Sequence, residues 1–171
     1  TGGGSGGYGV INEGQPGGSG GAGGSGIVIV RYLTASGDAI SFAGAVTLAG
    51  AVALDSGGGD ITFASTLDGA QVLGITAGAG NIDFDAAVGN IAALSAVTIV
   101  SAANVVADST IEAASLVQNA GTATTLKDNV TTTAAEGVNI TATTINLDGL
   151  TIASSGDGIV RMNGATVLQG A

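Results

Sequence analysis

Two aspartates, Asp83 and Asp85, are the residues of this chain best suited to acid–base chemistry. They flank Phe84, and residues two apart in a strand point to the same face of a sheet. A pair of carboxylates is the arrangement that sugar-cleaving enzymes use. The chain has no His and only two Tyr, Tyr8 and Tyr32, so His-based triads and zinc sites are excluded and few sugar-stacking platforms exist. We therefore predict no catalytic residues, with a polysaccharide-active enzyme as the less favoured alternative.

Metal sites have a weak basis in the sequence. Asp60 follows three glycines, Gly57 to Gly59, as in the calcium-binding Gly-Gly-x-Gly-x-Asp solenoid motif, but the nine-residue repeat of that motif is missing. We predict no cofactor and no metal ligands, and structural calcium held by turn carboxylates is a minor alternative.

Two threonine-rich stretches, 131–133 and 141–144, would suit a flat ice-binding face. Thr is also a good outward-facing strand residue, which is the favoured interpretation.

Charge restricts the partners. The net charge is −10, and the cations are Arg31, Lys127 and Arg161. No basic patch can form, so nucleic acid and anionic membrane surfaces are poor partners. No apolar run reaches the roughly 20 residues of a membrane helix, so no membrane span is predicted.

The first 36 residues divide into two parts. Residues 1–26 contain 14 Gly, which predicts a glycine-rich arm. Residues 27–36 are predicted to be an apolar strand with a connector. The run lacks polar alternation, as in a strand covered on both faces, and we predict that it is an assembly strand formed by Ile27, Val28, Ile29, Val30, Arg31, Tyr32 and Leu33.

A regular sequence repeat begins at residue 37. It is clearest in the pattern Gly-Asx-Ile-x-Phe. The same spacing of 21 residues separates Phe42 from Phe63 and Phe63 from Phe84. A repeat of about 20 residues with short strands and glycine turns indicates a solenoid whose coils bury their faces on each other. We predict a core ladder made of Phe42, Phe63, Phe84, Val105, Leu126, Leu147 and Leu168.

Lys127, the only lysine, is a candidate for two kinds of contact. One repeat step places it over Asp148, which favours a partly exposed salt bridge contributing about 0–1 kcal/mol. The alternative is an isopeptide crosslink to an Asn or Asp. That reaction requires an apolar pocket that lowers the lysine pKa, and a nearby acid.

In the C-terminal part, strands can still be recognised from the sequence, although glycines are fewer. We expect strands at 97–100, 116–117, 138–141, 145–147 and 159–162. Asn163-Gly164 between 159–162 and 165–168 suits a type I′ hairpin turn. An ordinary solenoid corner explains the same residues equally well.

Two resemblances follow from these patterns. Residues 17–32, Gly-Gly-Ser-Gly-Gly-Ala-Gly-Gly-Ser-Gly followed by Ile-Val-Ile-Val-Arg-Tyr, resemble glycine-rich segments of phage tail-fibre and environmental bacterial surface proteins. Residues 37–168 resemble the repeats of filamentous-haemagglutinin-like and autotransporter-type surface proteins. This second resemblance implies a right-handed parallel β-helix exported to the cell surface, with no shared active site.

The sequence as a whole predicts an all-β protein. Residues 37–171 are expected to form a parallel β-solenoid of about six coils, preceded by the arm and the apolar strand. We expect a structural subunit of an extracellular fibre or surface filament, which self-associates by β-strand complementation or end-to-end stacking. The alternative is a monomeric adhesin or phage tail-fibre segment, with possible glycan contact, in which the strand caps its own solenoid.

Overall fold

Short runs of Val, Ile, Leu and Thr separated by small turn residues form stacked strands throughout the described chain. The computed structural model describes residues 33–34 and 37–170, and these form a parallel β-solenoid of about six turns without a helix. At the usual strand spacing of about 4.8 Å, six turns give a rod of about 30 Å. The predicted fold class is therefore confirmed. The glycine-rich arm and residues 27–32 lie outside the described residues.

Sixteen strands make up the described coils. In chain order they are β1 (Leu33–Thr34), β2 (Ile40–Phe42), β3 (Val46–Thr47), β4 (Val52–Asp55), β5 (Ile61–Phe63), β6 (Leu67–Asp68), β7 (Val72–Thr76), β8 (Ile82–Phe84), β9 (Ala96–Ala107), β10 (Ile111–Ala113), β11 (Leu116–Gln118), β12 (Gly121–Leu126), β13 (Val130–Thr132), β14 (Val138–Asp148), β15 (Ile152–Ser154) and β16 (Val160–Gln169).

The strands lie on three faces, and every pair is parallel. Face A contains β1, β4, β7, β11 and the first halves of β9, β14 and β16. Face B contains β2, β5, β8, β12 and the second halves of the same three long strands. Face C contains β3, β6, β10, β13 and β15, joined through bridges at Val88. Each turn of chain visits the faces in the order A, B, C.

The core is a set of apolar columns running along the rod. On face B, the rings of Phe42 and Phe63 stack with centroids 4.9 Å apart, and those of Phe63 and Phe84 with centroids 5.3 Å apart. Phe63 and Phe84 are each only 2% exposed. The constant sequence step between these three residues therefore corresponds to one coil.

The predicted ladder departs from the structure at two positions. Val105 is buried but pairs with Ile82, and the residue that pairs with Phe84 is Ala107. The coil from Phe84 to Ala107 is two residues longer than the regular coil, and the next, from Ala107 to Leu126, is two residues shorter. The two deviations cancel, so Leu126 and Leu147 lie in the predicted column. Leu168 ends this column but is 77% exposed, because no described coil covers it.

The additional residues of the longer coil form a loop between faces C and A, at residues 89–93. Asp68 of the preceding coil holds this loop: its buried carboxylate accepts hydrogen bonds from the backbone N–H groups of Ile91 (2.8 Å) and Ala92 (3.2 Å). The side chain of Ile91 itself is 84% exposed. The Asp68 carboxylate therefore helps to hold the irregular coil on its regular neighbour, together with backbone bonds such as that from the N–H of Gly69 to the carbonyl of Ala92 (3.2 Å).

Replacing Asp68 with Ala is expected to lower the free energy of unfolding by about 1–3 kcal/mol, because two backbone donors lose a charged acceptor. Asp68→Asn keeps an acceptor oxygen and should lose less. Chemical denaturation of the three proteins measures the difference. Equal stability of all three would show that the carboxylate does not hold the loop.

The hairpin alternative for the last strands is wrong. β16 is one continuous strand that pairs in parallel with β14, with a register shift at the corner. Neither Asn163 nor Gly164 has the positive φ that a type I′ turn needs. Gly164 instead passes against the backbone of Ala142, where a Cβ atom would overlap the carbonyl oxygen. The solenoid-corner interpretation is confirmed.

The predicted assembly strand overlaps β1 at one residue. Leu33 pairs with Leu54 of its own chain, and Thr34 pairs with Asp55. One edge of the strand is therefore occupied within the chain at Leu33, and the prediction that the segment through Leu33 joins a neighbouring subunit stays a prediction. Ile27 to Tyr32 lie outside the described residues.

Candidate functional site: the outer faces and the C-terminal edge

The outer surface of face B carries the predicted carboxylate pair. Asp83 and Asp85 flank the buried Phe84 and both side chains lie on the outside of the sheet, as expected. The pKa of Asp83 is raised, first by partial burial and then by the neighbouring charges of Asp85, Asp60 and Asp108. Neither residue lines the two internal cavities or the C-terminal recess described below. The pair lies on an open, negatively charged surface.

Asp60 has a structural role on this surface. Its Oδ1 accepts the backbone N–H of Asn81 (2.7 Å) and the Nδ2 of Asn81 (3.0 Å). The Oδ1 of Asn81 accepts in turn from Nδ2 of Asn104 at 2.8 Å. The three residues form a polar ladder across three coils. Among the described residues, no group of three or more acidic side chains is arranged to hold a metal ion.

Lys127 lies between two aspartates of this face. Its Nζ is 2.7 Å from Oδ1 of Asp108 in the preceding coil, and both side chains are more than two-fifths exposed. The register places Asp148, the predicted partner, on the other side of Lys127. The hydrogen bond to Asp108, followed by its charge, raises the pKa of Lys127. These surroundings are those of a surface ion pair and lack the apolar, pKa-lowering pocket that a crosslink would need.

Changing Asp83 to Asn should stabilise the protein at neutral pH. Because the folded-state pKa of Asp83 is raised, its ionisation opposes folding above that pKa, whereas below the ordinary pKa of about 3.9 both states are protonated and the opposition disappears. We expect a small increase in Tm at pH 7 and none near pH 3. The control is Glu136→Gln, in the exposed turn between β13 and β14. A gain of the same size at both pH values would contradict this account.

The threonine-rich stretches do not form one flat array. Thr132 is buried and donates a hydrogen bond to Ser154 Oγ at 2.9 Å, while Thr131 faces outward on face C. Thr141 lies on face A, and Thr144 lies beyond the corner on face B. The ice-binding alternative therefore loses the surface on which it depended.

Three cavities of the described chain differ in size and position. Two apolar cavities of about 10 Å³ lie inside the rod, about the room of one water molecule. An open recess of about 370 Å³ lies at the C-terminal end, lined by Leu147, Gly149, Leu150, Ile152, Leu168 and Gln169. The recess lies where the last described coil stops after face B. Strand β15 on face C therefore has no described strand over it.

Strand β16 forms the C-terminal edge of the described solenoid. Its inward positions are occupied by Val160, Met162, Thr166 and Leu168, which continue the columns of Val138, Ile140, Ile145 and Leu147. Val160 and Leu168 are exposed, as is the outward-facing Val167. This edge was not predicted from the sequence, because residues 159–168 fit either a hairpin or a corner, and a hairpin would have used part of the edge internally.

Comparison of the chain with protein-family models, curated proteins and solved structures gave no match. The fold agrees with that of β-helix proteins in general. None of the described residues forms a helix long and apolar enough to cross a membrane.

Proposed function

We propose that this chain is a structural segment of an extracellular fibre or surface filament. The observation that carries the proposal is the stack of about six parallel coils, whose apolar columns run along the rod as far as β16. Strand edges at the ends of such a stack pair readily with another chain. A contact between the two different ends of a rod does not close on itself, so it produces a filament.

The interior of the rod supports a mechanical role. Apolar columns run through the coils, with two internal cavities of only about 10 Å³, and parallel strand pairs join each coil to the next. Stability in such proteins comes mainly from interfaces between neighbouring repeats. A rod of this type suits a spacer or fibre segment, and an extracellular or cell-surface location forms part of the proposal.

A monomeric adhesin or phage tail-fibre segment is the second candidate. The pairing of Leu33–Thr34 with Leu54–Asp55 of the same chain favours it, because this contact begins to cover the N-terminal coil from within. The two candidates differ in whether the rod associates with a second copy of the chain.

Sedimentation velocity of the full chain over a wide concentration range separates the two functions. The fibre proposal predicts a sedimentation coefficient that rises with concentration, toward long assemblies. A single species with the mass of one chain at every concentration would contradict the fibre proposal and favour the monomeric segment.

A non-catalytic role is also part of the proposal. We expect no turnover when the protein is incubated with acidic and neutral glycans. Turnover that disappears in both Asp83→Ala and Asp85→Ala would overturn this part and assign an enzyme.

A further inference from the structure

The outer side of face A is a flat surface of small and apolar side chains. Along the middle of the rod, six outward positions make up what we call the face A patch: Ala53, Val72, Gly74, Thr98, Val100 and Val117. Val72 and Val100 are exposed, and Ala53 and Gly74 are too small to hold a neighbouring surface away. Short side chains of this kind allow a second sheet to approach closely.

The face A patch has no charged residue, although the chain as a whole is strongly acidic. Asp83, Asp85, Asp108 and Asp148 lie on the outside of face B, and Glu112 lies on the outside of face C. With a net charge of −10, two copies that met through these faces would repel each other. A contact through face A avoids this repulsion.

Two charges of opposite sign lie outside the patch, toward the two ends of the same face. Asp55 faces outward on β4, and Arg161 faces outward on β16, next to Asn139 of the preceding coil. Five strand steps separate them, or about 24 Å along the rod. Among the described residues, no carboxylate lies within ion-pair distance of Arg161, whose side chain is exposed.

We propose that face A is the contact surface of a dimer, in which a second copy of the chain packs side by side with the first and the two rods are antiparallel. A two-fold axis along the strand direction, midway between β4 and β16, brings Asp55 of each copy to the level of Arg161 of the other. Arg161 is one outward position away along the strand, about 7 Å, which its long side chain can span.

The same axis makes the middle of the face self-complementary. It crosses face A between β9 and β11, which are neighbouring strands. Thr98 of one copy therefore meets Val117 of the other, and Val117 of the first meets Thr98 of the second. A two-fold dimer requires one surface that supplies both halves of the contact, and face A meets this requirement in shape and in charge.

The size of the surface predicts a weak dimer. Six strands, each with about five residues on the face, give roughly 400 Å² of flat sheet on each copy. The two copies together contribute about 800 Å², less than the roughly 1,200 Å² of stable interfaces. The dimer should therefore form at high protein concentration, or where many rods are held close together.

Exchanging the two charges tests the antiparallel arrangement. In Arg161→Glu each contact joins two carboxylates, and in Asp55→Lys each joins two cations, so either variant alone should associate about tenfold more weakly than the wild type. An equimolar mixture of the two variants restores opposite charges at both contacts and should associate as strongly as the wild type. Sedimentation equilibrium of the full chain at low salt, where surface charges are least screened, measures the association constants.

Val117→Lys tests the middle of the patch. The matched control is Val106→Lys, because Val106 is also a half-buried, outward-facing valine but lies on face B. At high concentration the wild type and Val106→Lys should reach twice the mass of one chain, whereas Val117→Lys should keep the mass of one. Thermal unfolding checks that each variant folds.

The inference does not depend on the proposed fibre function, since side-by-side pairing changes the width of an assembly and end-to-end joining changes its length. Filaments one rod wide in electron microscopy would contradict the dimer and leave the fibre function standing. Equal association of Val117→Lys and Val106→Lys, or a wild type that stays monomeric, would overturn the face A contact. A mixture of the charge variants that associates more strongly than the wild type would show parallel rods, and one no stronger than either variant alone would exclude the Asp55–Arg161 pairing.

Discussion

Replacing Phe63 with Ala is expected to reduce the free energy of unfolding by about 3–5 kcal/mol, the range for large aromatic residues removed from a core. Phe63 is 2% exposed and its ring stacks on Phe42 on one side and on Phe84 on the other. The substitution therefore opens a cavity and breaks two ring contacts, each of which contributes about 0.5–1.5 kcal/mol. Chemical denaturation followed by circular dichroism measures the loss.

The matched control is Thr62→Ala, one residue earlier in the same strand. Thr62 faces outward, between Ser41 and Asp83 of the adjacent coils, and its replacement should change stability by less than about 0.5 kcal/mol. A similar loss from both substitutions would indicate that the face B column is not the interior of the rod.

Replacing Gly89 with Ala is expected to cost at least about 2 kcal/mol, from two independent causes. Gly89 has φ +78°, a conformation that costs an L-residue roughly 1–2 kcal/mol. A Cβ atom there would also overlap the carbonyl oxygen of Glu112 in the next coil, so the backbone must shift. The residue begins the 89–93 loop, and its N–H donates to the carbonyl of Leu67 at 2.7 Å.

Gly44→Ala serves as the control, because a Cβ atom at Gly44 meets nothing within 4 Å. Its φ lies outside the left-handed region, so Ala is accommodated and the smaller entropy of the unfolded chain makes the change neutral or slightly stabilising. Thermal unfolding of both variants gives the comparison. A Gly89→Ala protein as stable as Gly44→Ala would contradict the described path of the longer coil.

The regular part of the solenoid could be predicted because its spacing is visible in large side chains. Phe42, Phe63 and Phe84 are rare residues in this chain, and each marks the same point of three successive coils. That Ala107 takes the next position in this column could not be predicted. Ala is common in this chain, and Val105 lies at the regular spacing from Phe84. Only the pairing of Ile82 with Val105 shows that the coil has gained two residues.

The equal spacing of residues along face B in two of the coils concealed a change in how each coil is divided among the corners. From Leu54 to Phe63 the corner between faces A and B spans nine residues, whereas from Ile140 to Leu147 it spans seven. The C-to-A connection becomes longer in compensation, so the spacing along face B is the same in both places. A column spacing measured on one face carries no information about how the residues are divided among the corners.

The candidate site was predictable only in part. An apolar run such as Ile27–Leu33 is recognisable from composition, but its pairing at Leu33 within the chain depends on the register of β4. Asp68 gave no sequence signal, because it resembles an ordinary turn residue before Gly69. Its burial follows from the 89–93 loop folding over it. The edge of β16 became visible only once the hairpin alternative had been excluded.

The most direct test of the structural role is electron microscopy of the purified full-length chain. The proposed function predicts filaments many times longer than the roughly 30 Å rod of one copy, with coils repeating at about 4.8 Å along the filament axis. Discrete short rods at every concentration would contradict it and leave the monomeric surface segment as the function that the fold supports.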